Sequence, residues 1–124
     1  MSKDHFEESF RTSRPYFGPY LACRRSWPQV YGAQQRLMKK LASLRRSGPI
    51  EILEVGAWAG ASAVSWGFAL QSHYGGRGRI VSVDIWSSEG EPSIRSVFQH
   101  NVRASGIEHM VEPLQMRATM PFAP

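Results

Sequence analysis

The stretch Ile50-Glu51-Ile52-Leu53-Glu54-Val55-Gly56-Ala57-Trp58-Ala59-Gly60-Ala61-Ser62 leaves this chain few ways to fold. Ile50 to Val55 is nearly continuous in apolar character and predicts a strand of a parallel sheet, covered on both faces. Gly56 and Gly60 make a sharp turn possible. A helix is predicted from about Ala59 to His73, with Ala63, Trp66 and Leu70 as its packing stripe and Gly75-Gly76 as its stop. A strand that turns straight into a helix calls for a crossover to a second parallel strand.

That second strand is Arg79 to Asp84. A loop with Ser87, Ser88, Gly90 and Pro92 follows. The next predicted helix runs from about Pro92 to Ala104, with Ile94, Val97, Phe98 and Val102 on one side. Pro92 suits its first turn and Gly106 the position after its end. Met110 to Gln115 predicts a third strand, weakened by Pro113. Upstream, a helix is predicted from about Pro28 to Arg46. Val30, Ala33, Leu37, Leu41 and Leu44 form its apolar stripe, Arg36, Lys39, Lys40, Arg45 and Arg46 lie on other faces, and Gly48-Pro49 ends it. The predicted fold is α/β: a Rossmann-like three-layer half-fold with parallel strands in order 3-2-1 and an N-terminal helix, truncated before a fourth strand. Residues 1–28 read as an irregular leader around Arg14-Pro15-Tyr16-Phe17-Gly18-Pro19-Tyr20, either a lid or a tail packed on the core. Residues 29–124 read as the domain.

Composition narrows the function classes. The 124 residues hold one cysteine, Cys23, so no internal disulfide forms, which suits a reducing cytoplasm. The polar start, Met1-Ser2-Lys3-Asp4-His5, has no apolar signal core. The apolar run from Ile52 to Leu70 is too broken by Glu54, Gly56 and Gly60 to span a membrane. The net charge of +5 is uneven: residues 1–50 hold ten Lys and Arg against three acids, and the remainder five against seven. The basic character therefore belongs to the leader and its helix. A basic face attracts nucleic acid or acidic lipid, but such a face is more often simply solvated. His5, His73, His100 and His109 have no metal-ligand spacing.

The chemistry collects at the glycine turn. A helix that starts there presents free N–H groups to a negative ligand group, and Ser62 adds a hydroxyl. Asp84 ends the second strand 28 residues after Gly56, where a carboxylate accepts hydrogen bonds from ribose hydroxyls. Glu54 is an acid near the end of a buried strand, costly unless paired, and a cationic ligand amine would pair it. A dinucleotide fingerprint needs glycines where Trp58 and Ala61 stand. No Gly-Lys-Ser/Thr is present for a P-loop. A ligand without phosphates that carries an amino acid and an adenosine, S-adenosylmethionine, suits the turn better. Against this, each glycine serves strand-to-helix packing equally well, and Asp84 serves equally well as a loop cap.

The run Glu54 to Val64 resembles motif I of the class I S-adenosylmethionine-dependent methyltransferases. It is most similar to the catechol O-methyltransferase-like and the antibiotic- and sugar-tailoring O-methyltransferases. The resemblance implies Glu54 near the methionine amino group, Gly56 and Ala57 at the cofactor's closest approach, Trp58 and Gly60 in the turn, and Ser62 on the methionine carboxylate. Val83-Asp84-Ile85-Trp86 resembles the next motif, which implies Asp84 on the ribose and Ile85 or Trp86 against adenine. Asn101 to Ile107 resembles the following helix and turn, and Arg117, Ala118 and Thr119 fall where an adenine-edge loop is expected.

In that family the metal ligands and acceptor groups lie beyond the third strand, so the expectation here is no metal site and no catalytic residue. The chain is then the cofactor-binding portion of a methyltransferase acting on a small-molecule or sugar hydroxyl. The alternative is a degenerate, non-catalytic module that docks its basic N-terminal helix on protein or nucleic acid. A nicotinamide-binding fragment ranks third. With three strands, Ile52 to Val55 forms an open apolar edge, which predicts self-association or a covering partner.

Overall fold

A computed structural model describes residues 7–8, 11–15, 32–44, 49–86 and 93–117. Helix α1 is Gly32–Leu44, strand β1 Ile50–Val55, helix α2 Ala61–Tyr74, strand β2 Gly78–Asp84 and helix α3 Ile94–Ala104. A short 3-10 turn, Glu108–Met110, leads into strand β3, Val111–Gln115. The three strands form one parallel sheet in the order β1-β2-β3. This is the expected α/β half-fold, and β1 is an edge strand of the described sheet.

Local signals set the element ends. Ser93 caps α3: its hydroxyl accepts from the Ser96 N–H at 3.1 Å. Pro92, predicted for that first turn, lies outside the described residues. Gly75 ends α2 in the left-handed region and returns its N–H to the Leu70 carbonyl. Pro113 sits within β3, opposite Ser82; an edge strand tolerates it because one side of its backbone has no partner strand.

The core lies on one face of the sheet. The register aligns Ile52, Ile80 and Val111 across the three strands. Against them pack Val64 and Leu70 of α2, Phe98 and Val102 of α3, Met38 of α1, and Ile107. Leu53 and Val55 point the other way and are exposed. The expectation that β1 is covered on both faces is therefore not met: a strand nearly continuous in apolar character reads as doubly covered, yet the described helices cover only one side of it. Helix α2 is buried far more widely than its predicted stripe, with Ala63, Val64, Ser65, Gly67, Ala69, Leu70 and Tyr74 all inside.

Of the described residues in the stripe predicted for α1, Ala33, Leu37 and Leu44 face outward, while Leu41 packs against the core. Met38 is 1% exposed, whereas Leu37 is 48% and Leu44 is 70% exposed, and Ala33 is exposed too. Polar contacts with α2 decide the helix's orientation. Gln34 donates to the Ser62 hydroxyl at 2.7 Å, and Gln35 donates to the Ser65 carbonyl at 3.3 Å. Pro28, Val30, Arg45 and Arg46 lie outside the described residues. Of the leader, Pro15 is buried, and His100 of α3 donates from Nε2 to the Arg14 carbonyl at 2.6 Å. This part of the leader packs on the core. Cys23 and the aromatics from Tyr16 onward lie outside the described residues.

Candidate functional site

The carboxyl ends of β1 and β2 meet where both strands turn into loops. Gly56 and Ala57 donate their N–H groups to the Val83 carbonyl, at 2.8 and 3.3 Å, so the first loop is tied to the second strand. Gly56 has φ +82°, a left-handed value, and a Cβ built on it would meet nothing within 4 Å. Gly60 caps α2 at φ +91°, but a Cβ there would lie 2.9 Å from the Phe98 ring. The two glycines thus do different work: Gly60 lets α2 pack on α3, and Gly56 leaves space beside the turn. Gly60 offers no side-chain cap, so no side chain at that position satisfies the first-turn N–H groups of α2.

Asp84 holds both loops. Its Oδ2 accepts the Trp58 N–H at 2.8 Å and its Oδ1 accepts the Trp86 N–H at 2.9 Å. Both tryptophans have left-handed backbones, φ +46° and +41°. Such a conformation in a bulky residue costs on the order of 1–3 kcal/mol and persists only under such restraint. The Trp86 indole N–H donates to the Trp58 carbonyl at 2.9 Å, closing a second link. Asn101 of α3 donates to the Ala59 carbonyl at 2.7 Å, and Gln115 of β3 donates to the Ile85 carbonyl at 3.0 Å. Four elements therefore converge on one short network.

Glu54 lies beneath it. The residue is 8% exposed, and neither carboxylate oxygen has a hydrogen-bond partner. Burial pushes its pKa above the usual carboxylate value of 4.5, and the Asp84 charge adds to the rise. The hydroxyls of Ser62 and Ser82 lower it from nearby, but neither completes a hydrogen bond to the carboxylate. Ser82 Oγ and Gln34 Oε1 are likewise buried and unpartnered. Unsatisfied acceptors therefore collect around this turn, an arrangement suited to a ligand rich in N–H donors.

No family model and no curated protein matches the sequence.

The structure brings Glu54, Gly56, Ala57, Trp58, Gly60, Ser62, Asp84, Ile85 and Trp86 to one end of the sheet. It does not use them all as expected. Ala57 is 4% exposed and Trp86 is 6% exposed, with the Trp86 ring 5.0 Å from that of Phe98. Trp86 is thus a core residue, whereas Ile85 and Trp58, 43% and 55% exposed, stand at the surface. The Ser62 hydroxyl is taken by Gln34. Both Asp84 oxygens already accept backbone N–H groups, and each keeps a second lone pair. Arg117 is exposed, and Ala118 lies outside the described residues. Among the described residues, no group of three or more His, Cys, Asp or Glu is placed to hold a metal ion.

Gln34, Ser82, Asn101 and Gln115 were not legible as site residues. Two of them did leave a signal. Ser82 interrupts an apolar strand, and Asn101 sits on the apolar stripe of α3, three residues after Phe98 and four after Val97. A polar residue on a buried stripe needs a partner.

Proposed function

We propose that this chain is the S-adenosylmethionine-binding portion of a methyltransferase that acts on a small-molecule or sugar hydroxyl. The observation that carries it is the buried, unpartnered carboxylate of Glu54 beside the open left-handed turn at Gly56. A buried acid without a partner destabilises the fold, and the cofactor's ammonium group would satisfy it. Gly56 leaves room for the methionine portion. The uncapped first turn of α2 offers N–H groups to the methionine carboxylate. The second lone pairs of Asp84 are available to ribose hydroxyls, and Ile85 offers an apolar surface to adenine. The cofactor would supply the transferable methyl group. This chain's residues bind and orient; none of them is assigned a chemical step.

Calorimetric titration with S-adenosylhomocysteine tests the proposal. Saturable 1:1 binding that is lost in Glu54→Gln supports it, and no heat at millimolar ligand sinks it. Asp84→Ala is the weaker probe, because it also releases both tryptophan loops.

A second reading has its own observation. Helix α1 carries Arg36, Lys39 and Lys40, all exposed, with no acid between Gly32 and Leu44. On that reading the chain is a non-catalytic module that docks α1 on protein or nucleic acid. Retained partner binding in Glu54→Gln and loss in a Lys39→Glu/Lys40→Glu variant would favour it.

A further inference from the structure

One face of the sheet carries an exposed apolar patch. Leu53 and Val55 of β1 are 69% and 59% exposed, and Leu114 of β3 is 37% exposed. The register sets Leu53 beside Val81, and Val55 beside Val83, which is itself beside Leu114. These side chains run together across all three strands, with Val83, 6% exposed, buried between the exposed Val55 and Leu114. Toward the amino end, Arg79 bridges Glu51 at 2.8 Å and Glu112 at 2.9 Å. Two carboxylates around one guanidinium leave that border with a net negative charge. Faces of parallel sheets are normally covered by helices.

A second surface answers it. On α1, Ala33, Leu37, Lys40 and Leu44 follow i, i+4, i+7, i+11 spacing and form one outward stripe. Arg36 flanks that stripe and Lys39 lies further round the helix, both exposed. The 13 residues of α1 span about 20 Å at 1.5 Å per residue. The six residues of β1 span about 20 Å at 3.3 Å per residue. The two surfaces match in length, Leu37 and Leu44 offer apolar contacts, and the basic helix is opposite in charge to the acidic border.

We propose that the exposed sheet face takes helix α1 of a second copy of this chain. A copy's own α1 cannot serve, because it is packed on α2 against the opposite face. The contact is heterologous, so each copy keeps one free helix and one free face, and assembly runs head to tail into rings or open chains. A single helix on a three-stranded face buries less than a standard interface of roughly 1,600 Å². Assembly is therefore weak and, given its charge pairing, sensitive to salt. The inference stands apart from cofactor binding. It rests on the protein-docking reading only in using α1, and it names the partner.

Sedimentation velocity on the full chain tests it with two variants at exposed positions. Leu53→Lys spoils the face and leaves α1 intact; Leu37→Glu does the reverse. Far-UV circular dichroism checks each fold, and Val55→Lys with Leu44→Glu repeats the experiment at independent positions. The expected results are that the wild-type chain grows with micromolar concentration and shrinks with added salt, and that each variant alone is monomeric. An equimolar mixture of the two variants then forms a dimer and stops there, because one intact face meets one intact helix. A monomeric wild-type chain overturns the proposal, as do variants that associate like wild type. A mixture that stays monomeric also overturns it.

Discussion

Glu54 carries the strongest single statement this chain makes. Its carboxyl is buried without a partner and its pKa is raised by burial. The folded chain therefore keeps this proton to higher pH than the unfolded chain. The neutral form supports the fold fully below about pH 4.5, and that support is lost as pH rises through the raised folded value. Glu54→Gln stays neutral throughout. Its melting temperature should equal or exceed that of wild type at pH 7–8, with the gap closing toward pH 4, as read by thermal melts across that range. The same substitution should abolish S-adenosylhomocysteine binding. Greater stability with lost binding separates a ligand-facing acid from a structural one. The glycines divide in a similar way. Gly60→Ala combines a left-handed backbone with a clash on Phe98 and should cost about 2–4 kcal/mol in a denaturant titration. Gly56→Ala meets open space and should cost only about 1 kcal/mol, yet weaken ligand binding.

Between elements, orientation is set by contacts with neighbouring elements. The period of α1 is plain in the sequence, but the helix offers two stripes: Leu37 and Leu44 mark the outer one, while Leu41 packs inward. The inner side is chosen by Gln34 and Gln35, which reach α2, and by Met38. Met38→Ala should therefore cost about 2–5 kcal/mol, whereas Leu37→Ala should change monomer stability by less than about 0.5 kcal/mol, both read by urea unfolding. The two loops behave as one unit through Asp84. Asp84→Ala leaves the N–H groups of Trp58 and Trp86 without their acceptor, at about 1–3 kcal/mol each where they are shielded from water. It should also shift tryptophan emission to the red as Trp86 leaves Phe98. Unchanged emission would mean that the Trp86 indole bond to the Trp58 carbonyl holds the loops without the carboxylate.

In the whole molecule, the sheet is protected unevenly. Among the described residues, β2 has a partner strand on each side, whereas β1 pairs only with β2 and has no partner strand on its other edge. Native-state hydrogen exchange should find the slowest amides in β2 and fast exchange at alternate positions of β1. Uniform protection along β1 would show that its edge is covered in solution. The ion triad of Glu51, Arg79 and Glu112 adds little to stability, since all three side chains are about half exposed or more.

The sequence alone determined the element order, the parallel sheet and the turn that joins Glu54, Gly56 and Asp84. These follow from periodicity, glycine geometry and chain connectivity, all of which act over a few residues. Tertiary structure alone decided which stripe of α1 is buried, which face of the sheet is covered and whether Trp86 packs inward. It also decided that the Asp84 oxygens clamp two loops. Each of these depends on partners about 26 or more residues away in most cases, such as Gln34 with Ser62 or Asp84 with Trp58. A strand or helix carries no local record of the neighbour that will choose its face.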